Sequence, residues 1–168
     1  MHELPFHSVY DWMLTTPINK IVLGYPWSWP TLESLHFLGL CVLMGALLVM
    51  DLRLIGFQRT IPLKAVHGLM PWAIAAFAIN LLTGLGFFFG DPYNYAGNWS
   101  FWAKMLCVVL AGLNFVFYFL AVEPKLLRLG PNDATPATAK VVGVLSLTFW
   151  FLVLAFGRLL PYLGTGGG

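Results

Sequence analysis

The chain has 168 residues, 59% of them hydrophobic and only 10% charged, with a mean hydropathy of +0.79. Soluble globular domains carry about 25% charged residues, so the composition excludes a soluble domain and calls for a lipid bilayer around most of the chain. A net charge of +2 with no basic run or recognition motif excludes nucleic acid as a partner.

In chain order, residues 1–30 are too polar to span a membrane and too rich in aromatics for a disordered tail. Ser8-Val9-Tyr10-Asp11 reads as a capping box, and Thr16-Pro17 as an N-cap followed by proline at the first helical position. With Phe6, Tyr10, Trp12, Met13, Ile18, Ile21 and Val22, the segment is expected to form one or two short amphipathic helices in the membrane interface. Tyr25, Trp27 and Trp29 then anchor the start of the first span. No cationic region followed by an apolar run marks a secretory signal, so the spans are expected to insert themselves.

Four apolar segments follow, each long enough for the roughly 20 helical residues that cross about 30 Å of hydrocarbon. They run from about Thr31 to Phe57, Leu63 to Gly90, Ser100 to Val122, and Thr138 to Leu163. The connections are a short polar turn, Gln58 to Pro62, a turn from Asp91 to Asn98, and an irregular loop from Glu123 to Ala137 with Pro124, Pro131 and Pro136. Connections this short predict an all-α membrane protein, an antiparallel bundle of four transmembrane helices over residues 31–163. Residues 164–168 read as a frayed tail. Cys41 and Cys107 form no CxxC and read as small buried hydrophobes.

Arg53, Arg59, Lys64, Lys125, Arg128 and Lys140 collect on one side of the bundle, against Lys20 on the other. Positive charge stays on the cytoplasmic side, so both termini are expected to face the periplasm. Three ionisable residues then fall at one depth on that outer side: His36, Lys104 and Arg158, each roughly four to five residues, or about 6–8 Å, inside its segment. Charge in hydrocarbon is expensive and marks a candidate functional site. Glu33 lies one helical turn before His36 and is expected to orient the imidazole. Gly84 and Gly86, in Thr83-Gly84-Leu85-Gly86, remove side-chain volume at that depth, either for close helix packing or for a flat cofactor.

This constellation has several readings. His36 can be an axial metal ligand of a haem b, with Lys104 and Arg158 holding the propionates. The same residues can hold a quinone carbonyl or an anionic lipid head group. They can also be structural, the cations snorkelling to the interface and Glu33 bonding His36. The chain has four histidines. His67 belongs at the opposite end, roughly 20 Å or more away, and reads as an interfacial or packing residue; only His2 and His7 share the side of His36. Asp51 and Arg53 are expected to pair with one another, with Arg59 or with Glu123. Asn80 and Asn114 are expected to bond between helices in mid-span. They form no continuous polar path, which argues against a channel.

Glu33-Ser34-Leu35-His36-Phe37-Leu38-Gly39 with Gly45 and Asp51-Leu52-Arg53-Leu54-Ile55-Gly56 resembles a family of small bacterial membrane proteins of unknown function. Leu82-Thr83-Gly84, Phe87-Phe88-Phe89, Asn98, Phe101, Lys104, Asn114, Gly157-Arg158 and Tyr162 extend the resemblance over nearly the whole chain. It implies a four-span protein of the bacterial inner membrane and no established activity. A looser similarity in layout links the chain to four-helix b-type cytochromes and copper-resistance membrane proteins, from which it departs by lacking paired intramembrane histidines. No nucleophile–base pair or phosphate loop is present, so autonomous catalysis is not expected. The expected function is that of a membrane subunit in electron transfer, binding haem b or quinone at the outer layer. The alternative is a redox-inactive accessory subunit packed against a larger membrane complex.

Overall fold

The computed structural model describes residues 6–126, 128–129 and 133–163. Expectations for the C-terminal tail and for His2 lie outside the described residues. Every regular element among the described residues is helical. Four stretches of 27 or 28 residues, Ser28–Ile55, Leu63–Gly90, Trp99–Leu126 and Ala137–Leu163, are long and apolar enough to cross a membrane. At 1.5 Å per residue each exceeds the hydrocarbon thickness, so the chain is a four-span membrane protein.

Two short helices precede the spans, α1 (His7–Thr15) and α2 (Pro17–Gly24). The capping box does not form: Phe6, in a left-handed conformation, occupies the N-cap of α1 without a side-chain bond, and Ser8 lies in the first turn. Asp11 is used elsewhere, accepting a 2.6 Å bond from the Tyr93 hydroxyl. The second signal is realised, with Thr16 accepting from the Asn19 N–H and Pro17 opening α2. The arm docks on the bundle through Tyr10 and Val22, both buried, and through Asn19, whose amide donates to the carbonyls of Phe89 at 2.7 Å and Gly90 at 3.3 Å. Those carbonyls belong to the last turn of a helix, where backbone acceptors have no intrahelical partner.

Span one is the single helix α3 (Ser28–Ile55), which starts three residues before its expected position because Pro30 is tolerated in a first turn. It stops at Gly56, whose φ of +110° requires glycine; the Phe57 N–H then closes back on the Leu52 carbonyl at 2.9 Å. Span two is broken into α4 (Leu63–His67) and α5 (Met70–Gly90). Pro71 has no N–H to give the His67 carbonyl, and the chain makes a tighter turn at Gly68 and Leu69 instead. The linker expected after Gly90 contains a one-turn helix, α6 (Pro92–Ala96), capped by Asp91.

Span three, α7 (Trp99–Phe117), passes into a π-turn, Tyr118–Val122, and then α8 (Glu123–Leu126). It therefore runs four residues past the expected end at Val122. Pro124 can neither donate to the Leu120 carbonyl nor avoid its clash, and widening the turn relieves both. Span four, α9 (Ala137–Leu163), ends the described chain.

The spans are not arranged in a ring of sequence neighbours. α3 and α9 pack on each other at the centre, α5 flanks α3, and α7 flanks α9. α5 and α7 meet through the Phe88–Phe101 ring stack near the face that carries both chain ends, called here the terminal face. Toward the opposite face an open apolar groove lies between them, lined by His67, Met70, Ile74, Phe115 and Phe119. Small residues set the central contacts: Ala46 packs with Ala73 and Ala76, and a Cβ on Gly143 would meet the Asp51 carbonyl oxygen at 3.0 Å and the Leu54 Cβ at 3.1 Å. Since both are backbone-fixed atoms, Gly143→Val is expected to cost about 1–3 kcal/mol, read from SDS-induced unfolding in mixed micelles. An unchanged midpoint would show that α3 and α9 do not approach this closely.

Both cysteines are free, with Cys107 buried and Cys41 on an outward face. Asn114 bonds between helices as expected, donating to the Val142 carbonyl at 3.1 Å. Asn80 does not: it donates to Ala76 in its own helix, and its side chain fills the space left by Gly39.

Candidate functional site

The layer expected near the terminal face exists in part. The His36 imidazole projects from α3 toward α5, where its Nδ1 lies 2.7 Å from the Thr83 hydroxyl oxygen and its ring meets Phe87 edge-on. Thr83 is 5% exposed and passes its own hydrogen to the Ile79 carbonyl at 2.7 Å, with the Asn80 carbonyl at 3.2 Å as a second acceptor. The Nε2 atom has no hydrogen-bond partner among the described residues and is not fully enclosed. Lys104 reaches in from α7, close enough for its ammonium to act electrostatically on the imidazole. It lies alongside Gly157 of α9, where a Cβ would make an ordinary contact with Nζ at 3.6 Å. Lys104 likewise has no hydrogen bond or ion pair among the described residues, and its ammonium is not sealed off. All four spans thus contribute to one layer: His36, Thr83, Lys104 and Gly157.

The remaining expected members are elsewhere. Arg158 is one residue beyond Gly157, hence rotated about 100° around α9. It is exposed at the rim, its Nη2 3.5 Å from the Tyr162 hydroxyl and its guanidinium carbon 5.7 Å from that ring. Glu33 is not behind the histidine. It is exposed and accepts a 3.2 Å bond from the Trp29 indole, while His36 turns to Thr83. Near that carboxylate, Tyr95 is pushed up to about 12 by burial, by Asp91 and by Glu33, so it stays a neutral phenol. Gly86 opens no cavity, since Leu32 fills its space at 3.1 Å, and Gly84 faces the His36 ring itself at 3.8 Å. The glycines serve close approach of α3 and α5, with the imidazole in the notch.

Among the described residues, no three His, Cys, Asp or Glu side chains come together in a way that could hold a metal ion. A haem also fits this layer poorly. The flat space it needs is taken by Leu32 and the His36 ring, and the other histidines are engaged elsewhere. His7 lies 3.4 Å from the Tyr93 hydroxyl on the terminal face, and His67 pairs at 2.9 Å with Glu123 at the opposite end.

That opposite end corrects the remaining expectations. Among the described residues Arg53 forms no ion pair with Asp51 or Glu123, nor Asp51 with Arg59; the Arg53 guanidinium donates to the carbonyls of Ile61 at 2.7 Å and Arg59 at 3.3 Å and to Thr135 Oγ1 at 3.3 Å. Asp51 faces Ser146 instead. Side chains two apart on a helix diverge, so Asp51 and Arg53 point to different neighbours. His67 is a paired residue, not a packing one, because the π-turn carries Glu123 to it.

The family model described as "Family of unknown function (DUF6644)" matches residues 9–163. The chain belongs to this family. No curated protein and no solved structure matches it. The match begins within α1 and covers all four membrane helices, so the His36, Thr83 and Lys104 arrangement lies wholly within the DUF6644 region. Sequence inspection passed over two parts of the site. Thr83 was visible as a hydroxyl at the depth of His36, and Gly157 as a missing side chain at the depth of Lys104. What relates them is helix rotation, which depth alone does not give.

Proposed function

We propose that this DUF6644 protein is a membrane subunit that binds a quinone in the terminal half of the bundle and takes part in electron transfer. One observation carries the reading: His36 Nε2 and the Lys104 ammonium lie in one apolar layer, neither with a partner among the described residues. Keeping such groups dry and unsatisfied is costly, so their retention points to a ligand that satisfies them. A quinone head group suits them, with two oxygens on opposite edges of an apolar ring and aromatic neighbours such as Phe87 alongside. Its isoprenoid tail stays in lipid. Electrons pass to or from a redox group on a neighbouring membrane subunit. The distribution of Lys and Arg favours the bacterial inner membrane with both termini, and hence this site, on the periplasmic side.

A second reading draws on the His36–Thr83 bond, which ties span one to span two as a purely structural contact would. It makes the chain a redox-inactive accessory subunit of a larger complex. Anaerobic equilibrium binding of decylubiquinol to the purified protein in nanodiscs separates the two. Saturable binding that weakens about tenfold in His36→Ala is expected, since leaving a buried hydrogen-bond partner unsatisfied costs about 1–3 kcal/mol. No binding by the wild-type protein would leave the accessory role. A visible spectrum of the same sample tests haem directly: an α-band lost in His36→Ala would return the haem reading.

A further inference from the structure

The hydrogen positions at His36 say more than that a ligand binds. A threonine hydroxyl carries one hydrogen. The Thr83 oxygen lies 2.7 Å from the Ile79 carbonyl and 3.2 Å from the Asn80 carbonyl, acceptors that can only receive. Whichever of them it takes, the hydrogen is used. Toward His36, at 2.7 Å, the Thr83 oxygen therefore presents a lone pair, and Nδ1 must supply the hydrogen. In the neutral imidazole this fixes the tautomer: Nδ1 carries the proton and Nε2 is a bare acceptor. In the same layer the Lys104 ammonium, beside Gly157, has donors and no acceptor. The site thus offers one acceptor and one donor to its ligand.

Resting on the quinone reading above, we infer that this site selects the hydroquinone over the oxidised quinone, one ligand hydroxyl donating to His36 Nε2 while the other oxygen accepts from Lys104. A hydroquinone supplies both partners at once. An oxidised quinone has only acceptor oxygens, so one carbonyl faces the Lys104 ammonium and the other meets the Nε2 lone pair with no hydrogen between them. Leaving that pair unsatisfied in an apolar layer disfavours the oxidised form by about tenfold or more. Thr83 touches no ligand; it is a positioning residue that acts by holding the tautomer.

The test is anaerobic binding of decylubiquinol and decylubiquinone to the full chain in nanodiscs, with Thr83→Val as the variant of nearly equal volume. The wild-type protein is expected to hold decylubiquinol at least about tenfold more tightly, and Thr83→Val to shrink that ratio toward unity by freeing the tautomer. Equal affinities in the wild-type protein would overturn the inference and leave the quinone site standing. A Thr83→Val protein that loses both forms equally, with the ratio unchanged, would overturn it too, since that is what a structural role produces. Binding of neither form removes the quinone reading and this inference together. Nitrogen-15 NMR of the ligand-free wild-type protein reads the tautomer without any variant at Thr83. With the signal assigned by its loss in His36→Gln, a bare Nε2 supports the inference and a bare Nδ1 overturns it.

Discussion

Arg53→Ala is expected to lower the unfolding free energy by about 3 kcal/mol, the largest stability effect of any single change in this chain. Arg53 is 2% exposed and gathers three acceptors: the carbonyls of Arg59 and Ile61 and the hydroxyl of Thr135. These acceptors come from two separate connections, the turn after span one and the strand of chain leading into span four. Truncation leaves all three without their donor and empties the space the buried guanidinium fills. Arg53→Lys is expected to recover only part of the loss, because an ammonium is a point charge and does not span a planar fork of acceptors. Tryptophan fluorescence during SDS titration measures the change, and limited proteolysis locates it, with new cleavage expected between residues 56 and 62. A loss below about 1 kcal/mol, within the range of ordinary substitutions, would mean that other contacts hold the two connections.

Lys104→Met is expected to move binding and stability in opposite directions. Quinone binding should weaken at least about tenfold, as a charge-assisted bond is lost. The bundle should become more stable by about 1 kcal/mol, since an ammonium without counter-charge is replaced by an apolar chain of similar length. Methionine fits the same place beside Gly157, without a polar head to satisfy. A lysine that merely props helices apart gives the reverse pattern, with stability falling and binding untouched. Arg158→Met is the matched control: its guanidinium is exposed at the rim with Tyr162, so both quantities should stay within about 0.5 kcal/mol. A Lys104→Met protein that binds decylubiquinone as tightly as wild type would remove Lys104 from the site.

Much of this protein follows from composition and periodicity alone. Four apolar segments separated by short polar turns leave little choice in lipid, where each backbone amide must bond within its own helix. The span limits follow to within four residues, and Thr16-Pro17 marks the start of α2 because cap chemistry is local. The common depth of His36 and Lys104 was equally legible, being a count of residues along known helices. Where local signals compete with tertiary ones, the sequence misleads. Ser8 and Asp11 have cap spacing, yet Tyr93, 82 residues away, takes the carboxylate. Pro124 looks like a helix end, but a π-turn absorbs it and carries Glu123 to His67.

Which residues face one another was decided only by the fold, and the reason is rotational. Depth follows from rise per residue, but facing depends on how each helix is turned about its axis, and packing against its neighbours sets that turn. Thus Glu33, on the turn before His36, goes to Trp29, while Thr83, 47 residues away, bonds the imidazole. Gly157 faces Lys104 while its neighbour Arg158 faces outward. The sequence by itself determined a four-span membrane protein with ionisable side chains at one depth near the terminal face. The tertiary structure decided that His36 bonds Thr83 through Nδ1, that Lys104 lies beside Gly157, and that Glu33 and Arg158 turn to other partners.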